Sequence, residues 1–337
     1  MATDFGNVVW DVFFKYPFWG SYIASYVPIK ALAAGSVFIL GFYLWYKKQN
    51  NNIIARIGPI SLIASIIYFL LSYLDLATVE FALSEGTPDW CSSSNLCGSL
   101  GRPIQVFITP NPTSFVAWGA WVSVFMIIIT ALMTLYSISQ RFKFLRIISG
   151  PSLTISTYAI KTVGIPISLI AGIYTGLLFN EATARGLFVD PSIVVLYFLY
   201  MLTMGFMIVY LITGNAEHSI FAKISIYLLV SVIGLQILQI TIGVLGFYRL
   251  DAQYASEMLL YGTNPFMQST SQYGLVSVFF KLGLVLWVIA LILSILGYRK
   301  ILGKSRLFYL ISIIIFGIGI GLVEFSKLLA VQFIPNS

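Results

Sequence analysis

Seven of the charged or phenolic side chains within otherwise apolar stretches of the sequence are candidates for a functional site. They are Tyr26, Lys30, Asp75, Tyr174, Lys281, Glu324 and Lys327. Ionisable groups are costly in an apolar setting, so each should face a partner or a cavity. Phenols and ammonium groups donate hydrogen bonds, and carboxylates accept them. Such a set is suited to binding a polar group and to transferring protons.

The spacing of these residues does not determine which partner each side chain has. Glu324 and Lys327 are three residues apart on one helix face, where they could simply neutralise each other. Lys30 and Lys281 lie roughly nine residues into their apolar stretches. Each lysine either extends its ammonium toward the membrane surface or pairs with a carboxylate such as Asp75 or Glu324. A paired group could serve as a proton relay.

The elements that position these side chains are expected to be membrane-spanning helices. Of the 337 residues, 59% are hydrophobic and 9% are charged, which is too little charge to coat a soluble globule. The mean hydropathy is +0.93. The apolar runs are continuous and of helical length, unlike the alternating strands of an outer-membrane barrel. We therefore expect one all-α transmembrane domain over residues 1–337, with eight spans at 21–46, 57–76, 114–138, 158–179, 191–212, 221–247, 273–298 and 307–332.

The basic residues indicate how these spans are oriented. Eleven fall on one side of the predicted bundle: Lys47, Lys48, Arg56, Arg141, Lys143, Arg146, Lys223, Arg299, Lys300, Lys304 and Arg306. Four fall on the other side: Lys15, Arg102, Arg185 and Arg249. The positive-inside rule then places both termini and the 77–113 loop outside the cytoplasm, in a multi-pass protein of the cytoplasmic membrane. Most of the cations behind the net charge of +7 lie in these loops, so the charge implies no nucleic-acid partner.

Metal and haem chemistry are not expected in this chain. Its two cysteines, Cys91 and Cys97, both lie in the 77–113 loop, where an oxidising compartment favours a disulfide that stiffens the loop. Two thiols without nearby histidines cannot complete a tetrahedral zinc shell. His218 is the only histidine and lies in a loop, whereas a b-type haem within a bundle normally needs two axial histidines.

Five short motifs occur along residues 31–191. In chain order they read ALAAGS at 31–36, LGRPIQVF at 100–107, PNPTSFVAWGAW at 110–121, GIYTGLL at 172–178 and RGLFVDP at 185–191. This ordered set resembles the NrfD/PsrC family, the membrane subunits of complex iron-sulfur molybdoenzymes such as polysulfide and sulfur reductases. The chain departs from the family pattern at Gly186 and Phe188, where proline and tryptophan are usual. A further departure is the insertion of about two dozen residues between Asp75 and the LGRP motif, which is a compact DLGRP in the family.

The resemblance implies a respiratory electron-transport function. The chain would be a quinone-binding anchor, without a catalytic residue or a metal of its own and not a complete enzyme alone. Electrons would pass between membrane quinone or quinol and an iron-sulfur subunit on the extracytoplasmic face, and then to a molybdopterin catalytic subunit that reduces sulfur or polysulfide. Tyr174 matches the family tyrosine that hydrogen-bonds the quinone, and Tyr26 aligns roughly with a family histidine. We expect the quinone contacts to be Tyr174, Tyr26 and Lys30, and the proton relay to be Asp75, Lys281, Glu324 and Lys327.

Three other functions are compatible with the same residues. A secondary transporter would use the lysines and Glu324 to bind an anion or a coupling ion. A retinal protein would use Lys281 in the seventh span. A purely structural anchor would hold an iron-sulfur subunit without exchanging electrons with quinone.

Overall fold

The computed structural model describes residues 21–46, 51–83, 107, 115–181, 190–213, 219–247, 250–262, 270–299 and 305–332. Within these ranges the chain forms ten α-helices and no strand. They are α1 (Ser21–Tyr46), α2 (Asn51–Leu83), α3 (Phe115–Arg141), α4 (Ser149–Ala159), α5 (Ile165–Glu181), α6 (Ser192–Thr213), α7 (Ser219–Val244), α8 (Leu250–Tyr261), α9 (Thr270–Tyr298) and α10 (Ser305–Gln332).

The predicted all-α fold with eight spans is confirmed. Among the described residues, eight helical segments are long and apolar enough to cross a membrane, with α4 and α5 counting as one. The first predicted span matches α1 at both ends, and the others agree within a few residues at most ends. The orientation of the termini stays a prediction. Cys91 and Cys97 lie outside the described residues, as do 84–106, 108–114 and 182–189.

The fourth span is longer than predicted. A 3₁₀ helix at Lys143–Ile148 leads into α4, and a π-helical segment at Ile160–Gly164 joins α4 to α5. Backbone hydrogen bonding changes in a π segment, so its carbonyl groups can accept other donors. The indole N–H of Trp45 donates to the carbonyl oxygen of Lys161 at 3.3 Å. Helical structure therefore begins at Lys143, although we expected a loop up to the start of the predicted span at 158.

The eight spans pack as two groups of four. In the first bundle α1, α2, α3 and α4–α5 pack in sequence, and α1 closes the ring against α5. In the second bundle α6, α7, α9 and α10 do the same, with α6 also contacting α10. The bundles meet where α1 packs against α6 and α10 and where α5 packs against α6. Consequently α1 is the most enclosed span and α6 the next. We call the end of the bundle at which α1 begins and α10 ends the N-face.

The junction between the bundles depends on a close approach of two backbones. A β-carbon at Gly35 of α1 would lie 2.0 Å from the carbonyl oxygen of Met201 and 2.8 Å from the backbone nitrogen of Gly205, both on α6. Small residues allow helices in membranes to approach until their backbones touch. This contact fixes α1 on α6 and sets the register of the side chains on either side of it.

The helix α8 was not expected from the sequence. This helix lies between the sixth and seventh spans and packs against α7, α9 and α10. It buries Ala252, Ala255, Ser256 and Leu259. Their spacing of three and four residues is the pattern of an amphipathic helix. It was overlooked because the segment is too short to cross a membrane.

Candidate functional site

Lys30 is the centre of a buried polar group in the first bundle. Its side chain is 1% exposed, and its ammonium donates a hydrogen bond to the hydroxyl of Thr175. The ammonium nitrogen lies 5.7 Å from the ring centroids of Tyr26 and Tyr174 and 5.4 Å from that of Tyr197. A cation within about 6 Å of an aromatic face is attracted by its quadrupole. Three rings therefore stabilise an ammonium that does not reach the membrane surface.

Glu324 is the centre of a second buried group, on α10. Its Oε2 accepts a hydrogen bond from the hydroxyl of Tyr197 at 2.7 Å, and its Oε1 accepts one from Tyr200 at 3.0 Å. The ammonium of Lys327 lies 2.7 Å from Oε1. Both side chains of the ion pair are 1% exposed. A buried carboxylate needs such donors because its desolvation would otherwise be too costly.

Tyr197 joins these two groups into one. Its ring faces the ammonium of Lys30, and its hydroxyl donates to Glu324. Lys30 and Glu324 also attract each other electrostatically. We call this set the junction cluster, because its members come from α1 and α5 of the first bundle and from α6 and α10 of the second: Tyr26, Lys30, Tyr174, Thr175, Tyr197, Tyr200, Glu324 and Lys327.

The helix bounds place the junction cluster at one depth. Lys30 is nine residues after the start of α1, and Glu324 is eight residues before the end of α10. At about 1.5 Å per residue, both lie roughly 12–14 Å below the N-face. The cluster therefore lies in the half of the bundle nearest the N-face.

The other two residues predicted for the site, Asp75 and Lys281, differ in how far they are buried. Asp75 is 8% exposed near the N-face end of α2, and its carboxyl group interacts electrostatically with the phenol of Tyr26. The ring of Tyr26 also packs against that of Tyr68, with centroids 5.6 Å apart. Lys281, in contrast, is exposed on α9, and the structure does not bring it into the cluster. The retinal alternative needs an enclosed lysine at that position and is not supported.

A separate apolar cleft of about 530 Å³ lies between α1 and α10, with α6 at its base. Its lining includes Ala24, Pro28, Ile29, Met204, Gly317 and Gly321. The glycines of α10 leave space that side chains would fill, and all lining helices belong to the junction of the two bundles. Lys30 is not among the lining residues, because it points to another side of α1.

Three members of the junction cluster were not expected from the sequence: Thr175, Tyr197 and Tyr200. Thr175 directly follows Tyr174, but a threonine in a membrane helix usually bonds to its own backbone and gives no signal. Tyr197 and Tyr200 are three residues apart, which is the spacing of one helix face. Among the 20 tyrosines of the chain, that spacing alone did not distinguish them.

Comparison with known proteins adds no identification. No protein-family model matches the chain, and no curated protein matches it. Fold and geometry define the class as a helical membrane protein with a buried polar cluster between two four-helix bundles.

Proposed function

We propose that the chain is the quinone-binding membrane subunit of an iron-sulfur molybdoenzyme complex. The observation that carries this proposal is the placement of Lys30 against Tyr26, Tyr174 and Tyr197 in the half of the bundle nearest the N-face. Two of these three tyrosines are the residues that the family resemblance nominates for quinone contact, and Lys30 is the third contact expected from the sequence. They come from α1 and α5, which are far apart in sequence.

The donor groups present suit the carbonyl oxygens of a quinone head group. A quinone, when bound, accepts or releases two electrons and two protons. Its carbonyl oxygens need donors in an otherwise apolar setting, and the phenols of Tyr174 and Tyr26 are such donors. The ammonium of Lys30 has three N–H groups, and within the described residues the hydroxyl of Thr175 is its hydrogen-bond acceptor. Lys30 therefore has capacity to donate to a further oxygen.

Protons would be held by carboxylates on either side of the phenols. Asp75 interacts with Tyr26 in the first bundle, and Glu324 interacts with Tyr197 and Lys327 in the second. A carboxylate that is enclosed with donors can take up or release a proton without contact with bulk water. We assign the relay to Asp75, Glu324 and Lys327, and leave out Lys281 because its side chain faces outward.

The proposed orientation follows from the basic loops. The N-face would be extracytoplasmic, and the iron-sulfur partner would dock there, close to the junction cluster. Electrons would then continue to a molybdopterin subunit that reduces sulfur or polysulfide. The distance between the quinone donors and the partner would then not exceed the thickness of the outer half of the membrane.

The proposal is tested by isolating the chain from its native membrane under mild detergent. Iron, molybdenum and extracted quinone are then measured in the purified material. We expect all three to accompany the chain in fixed ratios. A chain that isolates alone and without quinone refutes the proposal.

A sharper test replaces one hydroxyl. Tyr174→Phe in the intact complex should weaken quinone-linked turnover by up to about tenfold, since one hydrogen bond contributes roughly 0.5–1.5 kcal/mol. Activity with artificial dyes should be retained. Tyr309→Phe is the matched control, because the buried Tyr309 hydroxyl donates to the carbonyl of Ala222 near the opposite face. Unchanged quinone kinetics in Tyr174→Phe would remove this residue from the site.

A second function, secondary transport of a small anion or a proton-coupled substrate, is favoured by one observation. The buried ion pair of Glu324 and Lys327 lies where two four-helix bundles meet, which is where many transporters bind their substrate. Flux into vesicles that contain the chain without any partner subunit would support this alternative. The absence of flux, together with bound quinone, would exclude it.

A further inference from the structure

Gly119 of α3 lies directly against the phenol ring of Tyr174. A β-carbon at position 119 would be 2.1 Å from Cζ, 2.5 Å from Oη and 2.6 Å from Cε1 of that tyrosine. Real β-carbons essentially never come within 3.0 Å of a heavy atom to which they are not closely connected along the chain. The ring can occupy its position beside Lys30 because position 119 has no side chain.

The helix that bears Tyr174 is packed closely against α6. A β-carbon at Gly176 would lie 2.9 Å from the Cα of Val194, and one at Gly172 would lie 2.2 Å from the Sδ of Met201, both on α6. The ammonium of Lys30 also lies 5.7 Å from the centroid of the same ring. A methyl group at position 119 must therefore displace the ring itself, and with it the hydroxyl.

Helix formation does not account for a glycine at this position. Glycine is a poorer helix former than alanine, and α3 carries alanine at the nearby positions 117 and 120. Ala117 is itself buried, so α3 accommodates a methyl group where its neighbours leave space. Gly119 differs from these positions in facing Tyr174.

We propose that Gly119 is a positioning residue that sets the location of the Tyr174 hydroxyl, and thereby the affinity of the site for quinone. The structural part of this inference depends on geometry alone. The part that concerns affinity rests on the proposed function of Tyr174.

The structural part is tested by a thermal double-mutant cycle in the full chain with its partners. The variants are Gly119→Ala, Tyr174→Ala and the double variant. We expect Gly119→Ala to lower the melting temperature in the parent and to have no further effect once Tyr174 is alanine. Gly234→Ala is the matched control, since nothing lies within 4 Å of a β-carbon there. Additive effects overturn the inference. If Gly119→Ala does not fold, the double variant should fold, and its failure also overturns the inference.

The affinity part is tested by titrating the same complexes with a short-chain quinone and measuring Kd. Gly119→Ala should raise Kd by up to about tenfold, as expected when one hydrogen bond is lost, while Gly234→Ala should leave it unchanged. An additive thermal cycle overturns the inference whatever the affinity. A non-additive cycle with unchanged Kd instead refutes the role of Tyr174 in quinone binding.

Discussion

Replacing Glu324 with glutamine should be among the most destabilising single changes at the junction of the bundles. The carboxylate accepts hydrogen bonds from Tyr197 and Tyr200 and neutralises Lys327. Glutamine keeps one acceptor oxygen but presents an NH₂ group to a second donor, and it leaves a buried ammonium without its counter-charge. Removing one partner of a buried ion pair costs about 3–5 kcal/mol. Because both side chains are 1% exposed, solvent provides little screening.

The assay is the free energy of unfolding in detergent, measured by denaturant titration for four proteins. These are the parent, Glu324→Gln, Lys327→Met and the double variant. The double variant should lose much less than the sum of the single losses, because it removes both charges together. A loss below about 1 kcal/mol in Glu324→Gln would refute our account of the ion pair. Measured hydrogen bonds between membrane helices average only about 0.6 kcal/mol, so a loss that small would leave no contribution from the charges.

Three further predictions concern other contacts. Tyr197→Phe and Tyr200→Phe each remove one hydroxyl donor from the same carboxylate, so each should cost about 1–2 kcal/mol of unfolding free energy; strongly unequal losses would contradict the geometry. Gly35→Ala should cost about 1–3 kcal/mol because its methyl group meets backbone atoms, whereas Gly234→Ala should be neutral or slightly stabilising in the same titration. Asp190 caps the start of α6 by accepting a hydrogen bond at 2.8 Å from the backbone two residues later, so Asp190→Ala should lower the free energy of unfolding by about 1 kcal/mol. An unchanged free energy of unfolding in Asp190→Ala would contradict the role of Asp190 as this cap.

The number and type of the membrane spans could be read from the sequence because lipid imposes a simple rule. A chain in hydrocarbon must satisfy its own backbone, so each long apolar run becomes a helix. The bounds of α1 matched at both ends for this reason. The rule did not reveal α8, which does not cross, or the π-helical segment at Ile160–Gly164, which depends on local packing.

The depth of the candidate site residues was likewise accessible from the sequence, since depth follows from the rise per residue along a span. Lys30, Tyr174 and Glu324 were placed in the same half of the bundle on this basis. Rotation about each helix axis was not accessible. It separated Lys281, which faces outward, from Lys30, which is enclosed.

What the sequence determined by itself was therefore one-dimensional: which segments are helical, how many cross, and how deep each polar side chain lies. Tertiary structure alone decided which helices are neighbours, and it brought Tyr197 between Lys30 and Glu324. The physical reason is that hydropathy acts on each span separately. The rotation of a span about its own axis is set by backbone contacts such as that of Gly35 with α6. Such contacts involve residues that are far apart in the chain.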